Sequence, residues 1–121
     1  MKILVVDDEL DIRTLARASL ALVGKHEVVL AASAREGLEL ARTASPDVVL
    51  LDLVMPGMDG VAVMQALRDD PATRAIPIVF LTARAAPAEV ARYVALGARG
   101  AIEKPFDPMT LSEAIARVLA G

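Results

Sequence analysis

Two hydrophobic periods take turns along this chain. Ile3, Leu4, Val5 and Val6 form an unbroken apolar run that stops at Asp7-Asp8-Glu9. Such a run after Lys2 predicts a strand buried on both faces. From Leu10 the spacing turns helical: Ile12, Leu15, Ala16, Ser19, Leu22 and Val23 share a face, Arg13 and Arg17 lie outside it, and Gly24 stands just past the end. Glu27 to Ala31 reads as a second strand. Ser33 with Glu36 three residues on is a capping box. It opens a helix through Leu38 and Ala41 to about Thr43, which Ser45-Pro46 breaks.

Asp47 to Leu51 is the third strand, and Val48 to Leu51 is again wholly apolar, with Asp52 next. Met55-Pro56-Gly57 and Asp59-Gly60 carry turn chemistry. Val61 to Arg68 is helical, with Val61, Met64 and Leu67 or Ala66 inward, and Asp69-Asp70-Pro71 closes it. Ile76 to Leu81 is the fourth strand, Pro77 suiting its first residues. Pro87 opens a helix at its first position that runs to about Leu96 and stops at Gly97. Gly100 to Glu103 is a short fifth strand, ended by Lys104-Pro105, and Pro108 starts a last helix through Leu111, Ile115 and Leu119. Strict strand–helix alternation with short connections predicts an α/β fold, a parallel sheet with helices on both faces and right-handed crossovers.

The chain has 121 residues, which is one domain. Hydrophobic residues make up 55% and charged residues 24%, a globular and not a disordered balance. No apolar run approaches the ~18 residues of a membrane span, and Met1-Lys2 with four apolar residues is no signal peptide. A cytoplasmic location is expected, although the cysteine count leaves the redox compartment undetermined. With no cysteine, disulfides and thiolate metal sites are excluded. A net charge of −3 and three aromatic rings, Phe80, Tyr93 and Phe106, argue against a nucleic-acid surface.

Four of the five predicted strands end in chemistry: Asp7-Asp8, Asp52, Thr82 and Lys104. In a parallel sheet these ends share one edge, where open α/β folds hold their ligands. Asp7, Asp8 and Asp52 bring about three negative charges and Lys104 returns one. A divalent cation cancels the excess, and all-oxygen donors without His or Cys select Mg²⁺ or Mn²⁺ over zinc. A metal on few carboxylates grips a phosphate. Asp52 is then a nucleophile that forms an aspartyl-phosphate, with Lys104 neutralising phosphoryl oxygens and Thr82 supplying a hydroxyl. Each residue has a plainer reading alone: Asp52 as a turn residue, Asp7 and Asp8 as helix caps, Thr82 as a turn residue, Lys104 as a surface lysine. Their joint placement favours the site. His26, the one histidine, reads as a surface residue. Met55 and Met58 read as loop packing, and Arg84, Arg92 and Arg99 as solvated. Tyr93 is left open between an exposed anchor and half-buried packing.

ILVVDDE at Ile3 to Glu9, VVLLDLVMPGMDG at Val48 to Gly60, IVFLTA at Ile78 to Ala83 and GARGAIEKPF at Gly97 to Phe106 together resemble the receiver domain of bacterial two-component response regulators. The resemblance covers the whole chain. It implies a flavodoxin-like five-stranded sheet of order 2-1-3-4-5. It implies that Asp52 accepts a phosphoryl group from a phosphohistidine, on a sensor histidine kinase or a histidine phosphotransfer protein. Asp7 and Asp8 would hold Mg²⁺, Asp8 more directly, together with Asp52 and the backbone carbonyl of Val54. Thr82 and Lys104 would bind the phosphoryl group, and Lys104-Pro105 would be cis. Phosphorylation would reshape the face of the fourth helix, fifth strand and fifth helix for a downstream protein target, the domain being a monomer or a phosphorylation-dependent dimer. Only self-catalysed phosphorylation and slow autodephosphorylation are expected, with no separate substrate turned over.

Two departures stand out. Ala101 occupies the position where many receivers carry a Tyr or Phe that follows the Thr, so the output must use other side chains or backbone. Val54 and Arg84 stand two residues after Asp52 and Thr82, where receivers govern access of water to the phosphoryl group. Val54 cannot hydrogen-bond a water, which predicts a long-lived phospho-form. Read as complete, the chain carries no output domain and acts by docking or relay; read as a segment, it is the receiver of a longer regulator. Rival readings are weaker. A Mg²⁺-dependent aspartyl phosphatase wants a second Asp where Val54 stands. A pseudo-receiver would not need Asp8, Asp52, Thr82 and Lys104. A nucleotide-binding flavodoxin-like protein wants a Gly-rich loop where Asp7-Asp8-Glu9 stands.

Overall fold

The computed structural model describes residues 1–57 and 59–121. The strands are β1 (Lys2–Val6), β2 (Glu27–Ala31), β3 (Val48–Asp52), β4 (Ile78–Thr82) and β5 (Gly100–Glu103). The helices are α1 (Leu10–Ala18), α2 (Ala34–Ala44), α3 (Gly60–Asp69), α4 (Pro87–Leu96) and α5 (Leu111–Ala120). The five strands make one sheet, ordered β2-β1-β3-β4-β5, with every pair parallel. This is the predicted order. Every residue of β3 and β4 is buried, as continuous Val/Leu/Ile runs require when helices cover both faces.

Alternation along the strands sorts the core into two layers. Leu4, Val6, Val49, Leu51, Ile78 and Phe80 meet Ala34 and Ala41 of α2, Val63, Met64 and Leu67 of α3 and Tyr93 of α4. On the other face Ile3, Val5, Val48, Leu50, Val79 and Leu81 meet Ala16 of α1, Leu20, and Leu111 and Ile115 of α5. Tyr93 is therefore a packed residue, edge-on to Phe80 with ring centroids 5.4 Å apart. Met55 is buried in the first layer as expected, whereas Met58 lies outside the described residues.

The capping box of α2 forms with one change. Ser33 Oγ accepts the Glu36 N–H at 3.1 Å, and Glu36 Oε1 reaches past the cap to accept the Ala32 N–H at 2.6 Å. Ser45 ends α2 in the left-handed region, at φ 48°. Three helix readings need correction. Leu15, expected inward, is exposed, and beyond Ala16 the inward face of the first helix is carried on by Leu20, while Leu22 is 72% exposed and Val23 is exposed too. The cause at Leu22 and Val23 is a π-helical turn, Ser19–Val23, continuous with α1 and closed by Gly24 N–H donating to the Ser19 carbonyl at 3.2 Å. Wider turns shift the phase of every later residue. The last helix starts at Leu111, not Pro108; residues 108–110 form the turn before it. The Pro108 carbonyl there accepts the buried Ser19 hydroxyl, which pins this turn to the π-helical segment. In α3, Val63 is inward along with Met64 and Leu67, and Val61 is only half-buried.

Candidate functional site

The parallel pairing aligns four strand ends. Val6 sits opposite Leu51, Asp52 opposite Leu81, and Thr82 opposite Glu103. The residues that follow, Asp7-Asp8 and Lys104, therefore share a rim with Asp52 and Thr82. β2 pairs at the outer edge of β1 and adds no comparable group.

Lys104 reaches inward across this rim. Its Nζ lies 3.2 Å from Asp52 Oδ1, 3.4 Å from Asp7 Oδ2 and 3.6 Å from Glu9 Oε1. Lys104-Pro105 is cis, as the sequence resemblance implied. Asp7 is fully buried and Asp52 is 3% exposed, while Asp8 faces solvent. Asp7 Oδ1 accepts the Glu9 N–H at 2.9 Å, and Arg13 Nη1 donates to the Asp7 carbonyl at 2.9 Å. Asp52 Oδ1 accepts the Val54 N–H at 3.2 Å. Glu9 is the N-cap of α1 and its own side chain makes no cap bond, so the Asp7 carboxylate meets this helix only through the Glu9 N–H.

The loop after Asp52 returns tightly under the site. Gly60 N–H donates to the Leu53 carbonyl at 2.7 Å. A Cβ on Gly60 would stand 2.7 Å from the Asp52 carbonyl oxygen and 2.8 Å from Leu53 Cα, so only glycine fits. Asp59 then caps α3 through the Ala62 N–H at 2.8 Å.

Thr82 is buried at the adjoining strand end. Its Oγ1 accepts the Arg84 N–H at 3.1 Å and bonds neither Asp52 nor Lys104. Val54 is 76% exposed beside the site. Arg92 pairs with Glu89 and stacks over Tyr93, and Arg99 donates to the Leu119 carbonyl, so neither is merely solvated. His26 is half-buried and bonded to the amino-terminal nitrogen of Met1 and to Ser112. Glu9 and Glu103 are the site neighbours to which sequence reasoning gave no role. Their position beside Asp8 and Lys104 was the available signal.

Burial dominates the electrostatics. It pushes the Asp7 carboxyl above its ordinary value, against the Glu9 N–H and the Lys104 charge. Asp52 is raised by burial and then by the charge of Asp7, with the Val54 N–H and Lys104 opposing. Burial pulls the Lys104 ammonium down, but the Asp7 and Asp52 charges more than offset it, and the net shift is upward. One ammonium thus leaves the two buried carboxylates short of positive charge. Asp7, Asp8 and Asp52 offer carboxylate oxygens all within 4.8 Å of one another. A hard, all-oxygen donor set of this kind fits a divalent ion such as Mg²⁺.

Known proteins resemble this chain over nearly its whole length. A family model described as "Response regulator receiver domain" matches residues 3–116. The chain is 38% identical over 120 residues to Protein PilH of Pseudomonas aeruginosa, covering 99% of this chain and 98% of that one. It is 41% identical over 118 residues to "Probable transcriptional regulator ycf27" of Cyanophora paradoxa, covering 98% of this chain and 48% of that protein. The chain spans about half the length of the ycf27 relatives it matches. Among solved structures, the chemotaxis protein CheY4 of Vibrio cholerae superposes with a TM-score of 0.87 at 38% identity, covering 97% of each chain.

Proposed function

The chain belongs to the response regulator receiver domain family of two-component signalling, and from that premise we propose that Asp52 is its phosphoacceptor. The observation that carries the reading is Lys104 Nζ lying 3.2 Å from Asp52 and 3.4 Å from Asp7, inside a carboxylate cluster that one ammonium does not balance.

A carboxylate oxygen of Asp52 attacks the phosphorus of a phosphohistidine. The P–N bond breaks, its electron pair returns to the imidazole nitrogen, and that nitrogen takes a proton. Burial keeps Asp52 poorly solvated, and a poorly solvated carboxylate is a ready nucleophile once ionised. Lys104, already at hydrogen-bond range of Asp52, meets the negative charge that develops on the phosphoryl oxygens. Thr82 donates its hydroxyl to one of those oxygens. Asp7, Asp8 and Asp52 would hold Mg²⁺, with the Val54 carbonyl as a further oxygen. When bound, the ion offsets the excess of the carboxylates and of the transferred group.

Phosphorylation adds roughly −1.5 to −2 charges. That charge biases a two-state equilibrium at the face of α4, β5 and α5. The donor is a sensor histidine kinase or a histidine phosphotransfer protein in the cytoplasm, and the reader is a downstream protein. Intact-mass measurement after exposure to a small phosphodonor tests the assignment. One phosphoryl group is expected with Mg²⁺, none with a chelator, and none on Asp52→Asn. Unaltered uptake by Asp52→Asn would remove Asp52 from the role.

A further inference from the structure

Glu103 is the last residue of β5 and sits in register with Thr82. The ladder runs one residue further, Lys104 N–H donating to the Thr82 carbonyl at 2.7 Å. Successive strand side chains point to opposite sides. Lys104 turns to the acidic cluster, and Glu103 turns to the loop between β4 and α4, where its Oε1 accepts the Ala85 N–H at 3.1 Å.

That loop, Ala83-Arg84-Ala85-Ala86, has little means of holding itself. Its alanine side chains carry no acceptor, and Ala86, the N-cap of α4, makes no side-chain cap bond. A carboxylate from the neighbouring strand instead accepts the Ala85 N–H, just before that N-cap. It also sets a negative charge near the positive end of the α4 dipole. One residue back, Arg84 N–H donates to Thr82 Oγ1 at 3.1 Å. With that lone pair engaged, the hydroxyl hydrogen of Thr82 is free to be donated elsewhere. The turn that delivers the Arg84 N–H is fixed on one side by β4 and on the other by the Ala85–Glu103 bond.

We propose that Glu103 is a positioning residue: through Ala85 it holds the β4–α4 loop so that Thr82 presents its hydroxyl to the phosphoryl group on Asp52. This rests on the reading of Asp52 as phosphoacceptor. A carboxylate that only decorates the surface would show no such dependence on its acceptor oxygen.

The test compares Glu103→Ala, which loses the acceptor, with Glu103→Gln, which keeps a carbonyl oxygen and loses the charge. Phosphoryl uptake from phosphoramidate is followed at varied donor concentration with saturating Mg²⁺, and hydrogen exchange is read at the Ala85 amide. Glu103→Ala is expected to lower the maximal rate several-fold, well short of the ~10²–10³ lost with a direct transition-state donor. The half-saturating donor concentration and the Mg²⁺ affinity should stay unchanged, and the Ala85 amide should exchange faster. Glu103→Gln should restore both the rate and the protection. A wild-type rate in Glu103→Ala overturns the proposal. So does a Glu103→Gln rate as low as that of Glu103→Ala, because charge and not loop position would then be responsible. Failure of the wild-type chain to take up any phosphoryl group overturns the Asp52 reading itself, and is distinguished by appearing in every variant.

Discussion

Asp52 is expensive to keep ionised in the metal-free chain. Burial and the nearby Asp7 charge hold its carboxyl above the ordinary value of 3.8. The folded state therefore retains a proton that the unfolded chain has released. The stabilisation this gives is complete below pH 3.8 and is lost as pH rises through the folded value. At neutral pH the charge is a net cost. Asp52→Asn should then raise metal-free stability at pH 7 by on the order of 1 kcal/mol, read from urea unfolding, because a neutral isostere escapes the desolvation penalty. A second residue-scale expectation concerns Val54, whose exposed side chain offers nothing to orient a water. Val54→Asn should speed phosphate release from the phosphorylated protein several-fold in a release time course, by giving the attacking water a hydrogen-bond partner. The candidate site residues Asp7, Asp52 and Thr82 stood out in the sequence because each follows directly on an apolar run. Glu103 was not, because its role depends on a hydrogen bond to a loop eighteen positions away in the chain.

Elements are held by groups that periodicity does not reveal. Arg68, near the end of α3, donates to the carbonyls of Arg74 and Ile76, each at 2.9 Å, and of Gly97 at 3.0 Å. One guanidinium thus ties the end of α3 to the start of β4 and the end of α4. Arg68→Ala should destabilise the fold by about 2–3 kcal/mol, measured by urea unfolding, since the bonds lost are charge-assisted. His26 joins three parts of the chain in the same way. Its Nδ1 lies 3.2 Å from the Met1 amino nitrogen and its Nε2 lies 2.8 Å from Ser112 Oγ of α5. Burial first, and the amino-terminal charge second, lower its pKa below 6.5. The unfolded chain takes up the proton more readily, so the contribution of this contact is complete above 6.5 and is lost as pH falls below it. Unfolding midpoints at about pH 7.5 and about pH 5.5 should differ less in His26→Gln than in the wild type. The surface role expected for His26 missed this bridge because Ser112 lies 86 positions away. Likewise the inward stripe of α1 was legible through Ala16 and Ser19. It failed at Leu15, which is exposed within α1, and at Leu22, where nothing in the residue types announces a π-helical turn.

For the molecule as a whole, topology was the most legible feature. Parallel strands that alternate with amphipathic helices leave few alternatives, and order β2-β1-β3-β4-β5 puts every charged strand end on one rim. What sequence could not supply was depth: Asp7 is sealed and Asp8 is open, although the two are adjacent. That difference makes a bound cation a matter of global stability. An ion that binds only the folded chain stabilises it by about 2.7 kcal/mol at a hundred times its Kd. Thermal unfolding should therefore shift upward with Mg²⁺ and not with an equal ionic strength of NaCl, and Asp8→Asn should blunt the shift.

Tyr93 brings one practical consequence. It is the chain's sole tyrosine, there is no tryptophan, and its ring is wedged beneath α4 against Phe80 with the hydroxyl 3.3 Å from Glu89. Tyrosine emission from this protein comes from a single ring on a single helix. Any rearrangement of α4, on phosphoryl uptake or on partner capture, can be followed optically in real time with no label attached.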